Sequence, residues 1–351
     1  MSSRKKILII DADQNVAAAI AAICRKENWE VAHARDAVLA QSLARKENPT
    51  AIVLSSNVPG GGADLLVTRI RSSVYTAGIP ILVLGQAGAS RERFMGAGAN
   101  EFLDTARDGN AIHASLKRCL GESHAETKGL APESVINGAE RMAALSAADV
   151  LDTPPDALLD SITQLTSELL EVPTALLSMV SHDRQFFKSQ FGLPEPWSSA
   201  RQTPLSHSFC QWVVAGSEEV VIEDARSNPM LRVNPAIRDL GVVAYAGIPI
   251  FSATGPALGS FCAIDSKPRK WSERTLADLR NLASMSEAAL LLEKGQTGTS
   301  AIQTRAILIQ NAADLLNRSI DRKSVSATLH EIIRSQAHSL STLQRAAATG
   351  R

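Results

Sequence analysis

In the first 120 positions, apolar residues come in short unbroken runs separated by stretches with helical spacing. Ile7-Leu8-Ile9-Ile10, Ala51-Ile52-Val53-Leu54 and Ile79-Pro80-Ile81-Leu82-Val83-Leu84 carry no polar residue at alternate positions. That is the pattern of strands covered on both faces. Trp29 to His33 and Glu101-Phe102-Leu103 add two shorter strands, and Val16 to Lys26 and Ala111 to Leu120 read as helices. Strand and helix in alternation predict a doubly wound α/β fold around a parallel five-stranded sheet. The polar stretch that follows, rich in Gly, Ser, Thr and Pro, reads as a linker over 121–136.

Beyond the linker the period changes. Helical patterns over Ala139 to Leu145 and Ala157 to Leu170 precede strand patterns at Thr174–Val180, Gln185–Phe191, Val220–Glu223, Val242–Phe251 and Leu258–Ile264. An amphipathic helix from Glu273 to about Lys294 closes the segment. Strands grouped between helices predict an α+β domain over 137–294 with a mostly antiparallel sheet. The remainder, 295–351, opens on a Gly-Gln-Thr-Gly-Thr break and holds two further helical patterns, Ala301–Ile320 and Val325–Ala347. Ser324 is a plausible N-cap for the second. Ile302, Ala306, Ile309, Leu316 and Ile320 form an apolar stripe on the first helix. Val325, Leu329, Ile332, Ile333, Leu340 and Leu343 form one on the second. A helical hairpin alone cannot bury both stripes, so it is expected to associate with a second copy or with the preceding domain.

Bulk properties narrow the function classes. At 351 residues the chain is long enough for two or three cored domains. Lys plus Arg and Asp plus Glu number 36 each, so no net charge draws it toward nucleic acid or membrane. No apolar run reaches membrane-spanning length. The run Ile7–Ile10 is too short for a signal peptide and is interrupted by Asp11 and Asp13. Four scattered cysteines (Cys24, Cys119, Cys210 and Cys262) have no zinc-like spacing. A reduced, cytoplasmic protein is the plain expectation.

The first segment resembles the receiver domain of two-component response regulators. The matching pieces are Ile7-Leu8-Ile9-Ile10-Asp11-Ala12-Asp13, Ile52-Val53-Leu54-Ser55 leading to Pro59-Gly60, Ile79–Leu84, and Gly96-Ala97-Gly98-Ala99-Asn100-Glu101-Phe102-Leu103. In that family an acidic pair and a phosphoacceptor aspartate hold Mg²⁺, and a hydroxyl residue and a lysine bind the phosphoryl oxygens. By position, Asp11 keeps the first acidic place while Ala12 takes the second. Ser55 stands for the phosphoacceptor, Gly85 for the hydroxyl residue and Thr105 for the lysine. The resemblance therefore implies a pseudo-receiver in which no Mg²⁺ is expected.

Residues from about Asn137 to Glu293 resemble a GAF domain of the bacterial sensor subgroup. The resemblance rests on Val150-Leu151-Asp152-Thr153-Pro154-Pro155, Asp183-Arg184-Gln185-Phe186-Phe187, Ser208-Phe209-Cys210, Tyr245-Ala246-Gly247-Ile248-Pro249 and Leu258-Gly259-Ser260-Phe261-Cys262-Ala263-Ile264-Asp265. It implies a ligand cleft on one sheet face, lined from Phe187, Phe209, Cys210, Val213, Asp224, Met230, Arg232 and Tyr245. The ligand is not named by the residues, because fold does not carry ligand identity. Cys210 reads as a buried structural thiol, with redox chemistry there as the one enzymatic alternative. His182-Asp183-Arg184 reads as a solvated turn.

The C-terminal helices carry two further resemblances. Ala301 to Leu308 with Gln310, Leu315 and Leu316 is similar to the start of an ANTAR domain, an RNA-binding antiterminator module, with Arg318, Arg322 and Lys323 as a basic cluster. His330-Glu331-Ile332 resembles the phosphoacceptor box of histidine kinases, which makes a remnant phosphotransfer protein a third alternative. The expected function is a non-catalytic signal-transduction regulator. It joins a phosphorylation-incompetent receiver, a GAF sensor and helices that dimerise. Its partners are a second copy and a signalling protein such as a kinase or regulator, with RNA as an alternative and no membrane.

Overall fold

Each buried run of the first segment becomes a strand of a parallel sheet in the computed structural model, which describes residues 4–104, 108–121, 129–293, 298–319 and 322–348. These fall into two units, Met1–Pro132 and Glu133–Arg351. The first runs β1 (Lys6–Ile10), α1 (Gln14–Lys26), β2 (Glu30–Ala34), α2 (Ala37–Glu47), β3 (Ala51–Ser55), α3 (Ala63–Ser72), β4 (Ile81–Leu84), α4 (Arg91–Gly96), β5 (Glu101–Leu103) and α5 (Gly109–Gly121). The strands form a five-stranded sheet in the order β2-β1-β3-β4-β5, all parallel. This is the receiver fold.

Alternation along the strands makes two cores from one sheet. Leu8, Ile10, Ile52, Leu54, Ile81 and Val83 pack against Leu66, Ile70 and Phe94. Ile7, Ile9, Val53, Leu82 and Leu84 face the other way, onto Ile20, Cys24, Ile112 and Leu116. Helices α1 and α2 begin where Asp13 and Asp36 accept hydrogen bonds from the N–H groups of Asn15 and Leu39, both 2.8 Å. The fourth strand starts at Ile81 rather than Ile79. Pro80 has no N–H to donate, and its carbonyl accepts from Ile52 N at 2.8 Å.

The second unit runs α6 (Glu133–Ile136), α7 (Ala139–Ala148), α8 (Ala157–Leu170), β6 (Thr174–Val180), β7 (Arg184–Phe191), α9 (Trp197–Ala200), β8 (Gln202–Pro204), α10 (Cys210–Gly216), β9 (Val220–Ile222), α11 (Ala236–Asp239), β10 (Ala244–Phe251), β11 (Ala257–Asp265), α12 (Glu273–Glu293), α13 (Gly298–Arg318) and α14 (Lys323–Ala348). Its six-stranded sheet has the order β8-β7-β6-β11-β10-β9, with every pairing antiparallel. The expected linker lies partly outside the described residues, and its last part, Glu133–Ile136, is helical.

One face of this sheet carries the main core. Leu177, Met179, Ala246, Ile248, Phe261 and Ala263 pack against Leu159, Ile162 and Leu165 of α8 and Leu279, Leu282 and Met285 of α12. The C-terminal helices add Leu308, Ala312, Leu315, Val325, Leu329 and Ile332 to the same core. Of the two expected associations, the structure shows the one with the preceding domain.

The buried seam of α13 is Ala301, Thr304, Leu308, Ala312 and Leu315. Of the expected stripe, Ile302, Ile309 and Leu316 are half-buried at its flank, Ala306 is exposed, and Ile320 lies outside the described residues. The covered face is thus shifted by about one position from the expected stripe. On α14, Val325, Leu329 and Ile332 are buried as expected, whereas Ile333, Leu340 and Leu343 are half-buried.

Leu315 is fully buried in this shared core. Leu315→Ala is expected to destabilise the second unit by about 2–5 kcal/mol, through lost apolar contact and the cavity left behind. Denaturant unfolding measures this. A cost under about 0.5 kcal/mol, typical of surface sites, would mean that α13 is not docked on the sheet domain.

Candidate functional site

The carboxyl ends of β1, β3 and β4 lie side by side, where α/β sheets place their ligand sites. Asp11 is 4% exposed there, and its Oδ1 accepts a hydrogen bond from Asp13 N at 2.8 Å. Ala12 is exposed and has no donor or acceptor side chain. Ser55 is buried, and its hydroxyl accepts from Gln86 Nε2 at 3.3 Å. Gly85 is packed out from above. A Cβ added there would sit 2.4 Å from the Phe102 ring, so a hydroxyl side chain has no room unless that ring moves. Thr105 lies outside the described residues.

One carboxylate beside a neutral hydroxyl is not the acidic oxygen set that Mg²⁺ takes, so the residues described here do not fit that ion. Among the described residues no group of three or more His, Cys, Asp or Glu could hold a metal.

The second site is on the sheet face opposite the main core. Register places Tyr245 opposite Ile264, and Gly247 opposite Cys262, on this face. Leu176 of β6 stands opposite Cys262, and Ser178 opposite Ser260. Gly247 is required by its neighbour, since a Cβ there would meet the Tyr245 hydroxyl at 2.3 Å. The ring therefore folds over the glycine and brings its O–H to 3.4 Å from Cys210 Sγ and 3.1 Å from Ser260 Oγ. Cys210 and Cys262 Sγ atoms are 4.0 Å apart.

Hydrogen bonding, first from the Cys262 thiol and then from Tyr245, Ser178 and Ser260, outweighs burial and brings the Cys210 thiol down to about 7. Burial pushes Cys262 and Tyr245 the other way, so both stay protonated and act as donors to Cys210. In the first unit, by contrast, burial pushes the Cys24 thiol up to about 11.

Next to this cluster is a cavity of about 20 Å³, lined by Thr174, Leu176, Gln185, Leu193, His207, Phe209, Cys210, Leu240, Val242, Tyr245 and Ile264. That volume is room for little more than a water, far below the ~300–1,000 Å³ of drug-sized ligand sites. At its edge His207 is held by Asp239 (Nε2 to Oδ2, 3.1 Å), and its ring lies 5.4 Å from that of Trp197. Arg238 first, then His207, hold the Asp239 carboxyl down to about 2.

Of the eight expected cleft residues, Phe209, Cys210 and Tyr245 line the cavity. Phe187 and Val213 are fully buried and Met230 nearly so, outside the lining. Asp224 caps a short turn, and Arg226 engages its carboxylate at 2.8 and 2.7 Å. Arg232 is exposed. The lining residues not foreseen (Thr174, Leu176, Gln185, Leu193, His207, Leu240, Val242 and Ile264) come from six segments. Period-two counting from Tyr245 and Cys262 would have found Ile264, because all three share a face.

In the C-terminal helices, Arg318 pairs with Asp278 at 2.9 Å. Arg322 bonds Glu171 at 2.6 Å and the Leu169 carbonyl at 2.8 Å. His330 is exposed, and its Nδ1 donates to the Ser326 carbonyl at 2.7 Å. His182 and Asp183 stand on the turn between β6 and β7, both exposed.

Comparison with known proteins agrees with this division. Residues 154–290 match the model of the GAF domain family, so this segment of the chain is a GAF domain. A cyclic di-GMP phosphodiesterase from Pseudomonas aeruginosa is 33% identical over 147 residues, 41% of this chain and 24% of that protein. The transcriptional regulator RpaA from Synechocystis is 27% identical over 117 residues, 33% of this chain and 48% of the relative. The chain thus spans about a quarter and about half the length of these two relatives.

Among solved structures, a response regulator from Chloroflexus aurantiacus is 26% identical, with a TM-score of 0.33, over 34% of this chain and all of that one. The receiver domain of a sensor histidine kinase from Pseudomonas aeruginosa, solved with magnesium, is 20% identical, with a TM-score of 0.32, over 34% of this chain and 100% of that one.

The buried carboxylate offers a test. Desolvation pushes the Asp11 carboxyl above the usual range, and hydrogen bonds from Asp13 N–H and the Ser55 hydroxyl only partly oppose it. The unfolded chain therefore releases this proton at lower pH. Stability falls as pH rises through the window between the two pKa values, and the loss is complete above the folded one. Asp11→Asn keeps an acceptor for Asp13 N–H and removes the charge. The variant is expected to unfold at higher temperature than wild type at neutral pH, the two converging below roughly pH 4. A variant less stable at neutral pH would mean that the hydrogen bonds to the carboxylate outweigh the cost of its burial.

Proposed function

We propose that the chain is a non-catalytic, cytoplasmic signal-transduction regulator. Its receiver works without phosphotransfer, its GAF domain responds to a small molecule, and its output passes through protein contacts made by the C-terminal helices. One observation carries this reading. At the carboxyl ends of β1, β3 and β4 there is one buried carboxylate, with a serine where an acyl phosphate would have to form and the Phe102 ring over Gly85. A serine hydroxyl cannot give an acyl phosphate, so what remains of the receiver is a docking surface. The Pseudomonas relative named as a phosphodiesterase shares a quarter of its length with this chain.

A buried ion pair supports coupling between the cavity sheet and the output helices. Lys188 of β7 has a fully buried side chain, and its Nζ donates to Glu293 at 2.6 Å and to Thr153 Oγ1 at 2.7 Å. Glu293 is the last residue of α12, so the strand that carries Gln185 into the cavity also holds the end of the helix leading to α13. Broken, such a pair leaves an uncompensated buried charge, which ties the two elements to one arrangement.

Pairing with a second copy is read from the outer side of α13, where Ile307 is 51% exposed.

Incubation of the full chain with acetyl phosphate and Mg²⁺ is expected to add no acid-stable or acid-labile phosphate by intact mass. An added phosphoryl group lost on alkaline treatment would overturn the receiver reading. Native mass spectrometry of the full chain is expected to show a dimer that Ile307→Glu converts to monomer. A wild-type monomer at micromolar concentration would sink the pairing.

A further inference from the structure

We propose that Cys210 and Cys262 are a peroxide-reactive dithiol, converted to an intramolecular disulfide by a small hydroperoxide that enters the cavity beside them. The inference rests on the sensor reading of the GAF domain and deepens it by naming the class of molecule sensed. Three observations carry it.

The two sulfurs face each other at 4.0 Å in a buried site. They come from different elements, α10 and β11, so bonding them would lock a helix to the sheet. The cavity beside Cys210 has about 20 Å³, which admits a molecule the size of water or hydrogen peroxide and excludes larger electrophiles. Its lining grades from half-buried Leu193, His207 and Leu240 to Cys210 and Tyr245 at 2% and 1% exposed, so it runs inward from the surface to the thiol. The Tyr245 hydroxyl, 3.4 Å from Cys210 Sγ, is placed to donate to the sulfur in its anionic form. The same donors that lower the Cys210 thiol make it the attacking member of the pair.

The chemistry balances with hydrogen peroxide as oxidant. The Cys210 thiolate attacks one peroxide oxygen, an S–O bond forms, the O–O bond breaks, and the departing hydroxide takes up the proton that the thiol gave up, leaving as water. Cys262 sulfur then attacks the Cys210 sulfenic sulfur. The S–S bond forms, and the hydroxyl leaves with the Cys262 proton as a second water. Two electrons pass from the thiols to the peroxide.

The test treats the full chain, folded, with hydrogen peroxide, blocks free thiols, and maps peptides without reduction. The expected result is a Cys210–Cys262 cross-link with a mass lower by two hydrogens, reversed by dithiothreitol, forming at least about tenfold faster than any oxidation of Cys24. Cys262→Ser is expected to stop at a Cys210 sulfenic acid trapped by a 1,3-diketone, and Cys210→Ser to abolish both products. Trapping on Cys210 in the Cys262→Ser variant also shows that the variant keeps the folded site.

Four free thiols after treatment, a cross-link involving Cys24 or Cys119, or a sulfenic acid that accumulates in the wild type would each overturn the proposal. Hydrogen exchange of α12 and α13 in the oxidised protein separates the two readings. The cross-link without altered exchange there leaves the dithiol standing and removes the sensor. Altered exchange with no cross-link removes the dithiol alone.

Discussion

Strand residues alternate between two faces, and that alternation along β10 and β11 governs most of the second unit. Ala246, Ile248, Phe261 and Ala263 are sent to one face, Tyr245, Gly247, Ser260 and Cys262 to the other. The first set is a continuous apolar surface that water penalises, at roughly 25 cal/mol per Å² left exposed. Helices α8 and α12 cover it, and α13 and α14 extend the same core. The second set contains hydroxyls, thiols and a glycine, and short α10 covers it only in part. A polar, incompletely filled layer results, and the cavity is what remains between that layer and the loop carrying His207.

The first unit shows how little a fold needs its chemistry. Its two cores draw on alternate residues of β1, β3 and β4, none of which is a carboxylate. Losing acidic groups at the strand ends therefore leaves both cores intact. It even lightens the site, because clustered carboxylates without a cation repel one another. What survives is the cost of the single remaining buried Asp11, whose hydrogen bonds from Asp13 and Ser55 offset only part of its desolvation. The close fit of Phe102 over Gly85 is consistent with that relaxed state, since the space a hydroxyl side chain would use is filled by ring carbons.

Much of this was legible in the residues alone. Short segments such as Ile7–Ile10 and Thr174–Val180 gave strands at the expected positions because runs of this length rich in β-branched and aliphatic residues suit strands better than helices. Sequence reading failed where tertiary contact decides. Gln202–Pro204 forms an edge strand too short and too polar to carry a pattern. The α13 seam falls on Ala301, Thr304, Leu308, Ala312 and Leu315 rather than on the isoleucines, because the neighbouring elements and not the helix itself decide which face is covered. Cys210 and Cys262 are 52 residues apart, and nothing in the spacing sets their sulfurs 4.0 Å from each other. The pairing requires a helix and a strand to meet, and the glycine at 247 that admits Tyr245 between them looks like any other strand glycine.

The cavity and the end of α12 are joined through one strand. Gln185 faces the cavity from β7, and three residues along the same strand Lys188 reaches the end of α12. A bulge in β7 falls at Lys188, between Phe187 and Ser189, and re-aims that side chain toward the end of α12. The lysine side chain of this pair is fully buried while the glutamate is 26% exposed, so losing the pair leaves the lysine charge uncompensated. To act as a switch, the change at the cavity must favour one arrangement by several kcal/mol, about 5.5 for a near-complete exchange of populations. A reversible ligand too small to make many contacts supplies that difference poorly. A covalent bond between α10 and β11 does not have this limit, because it alters the distance constraint itself rather than adding weak contacts to one state. A cavity this small is thus better matched to bond formation than to equilibrium occupancy.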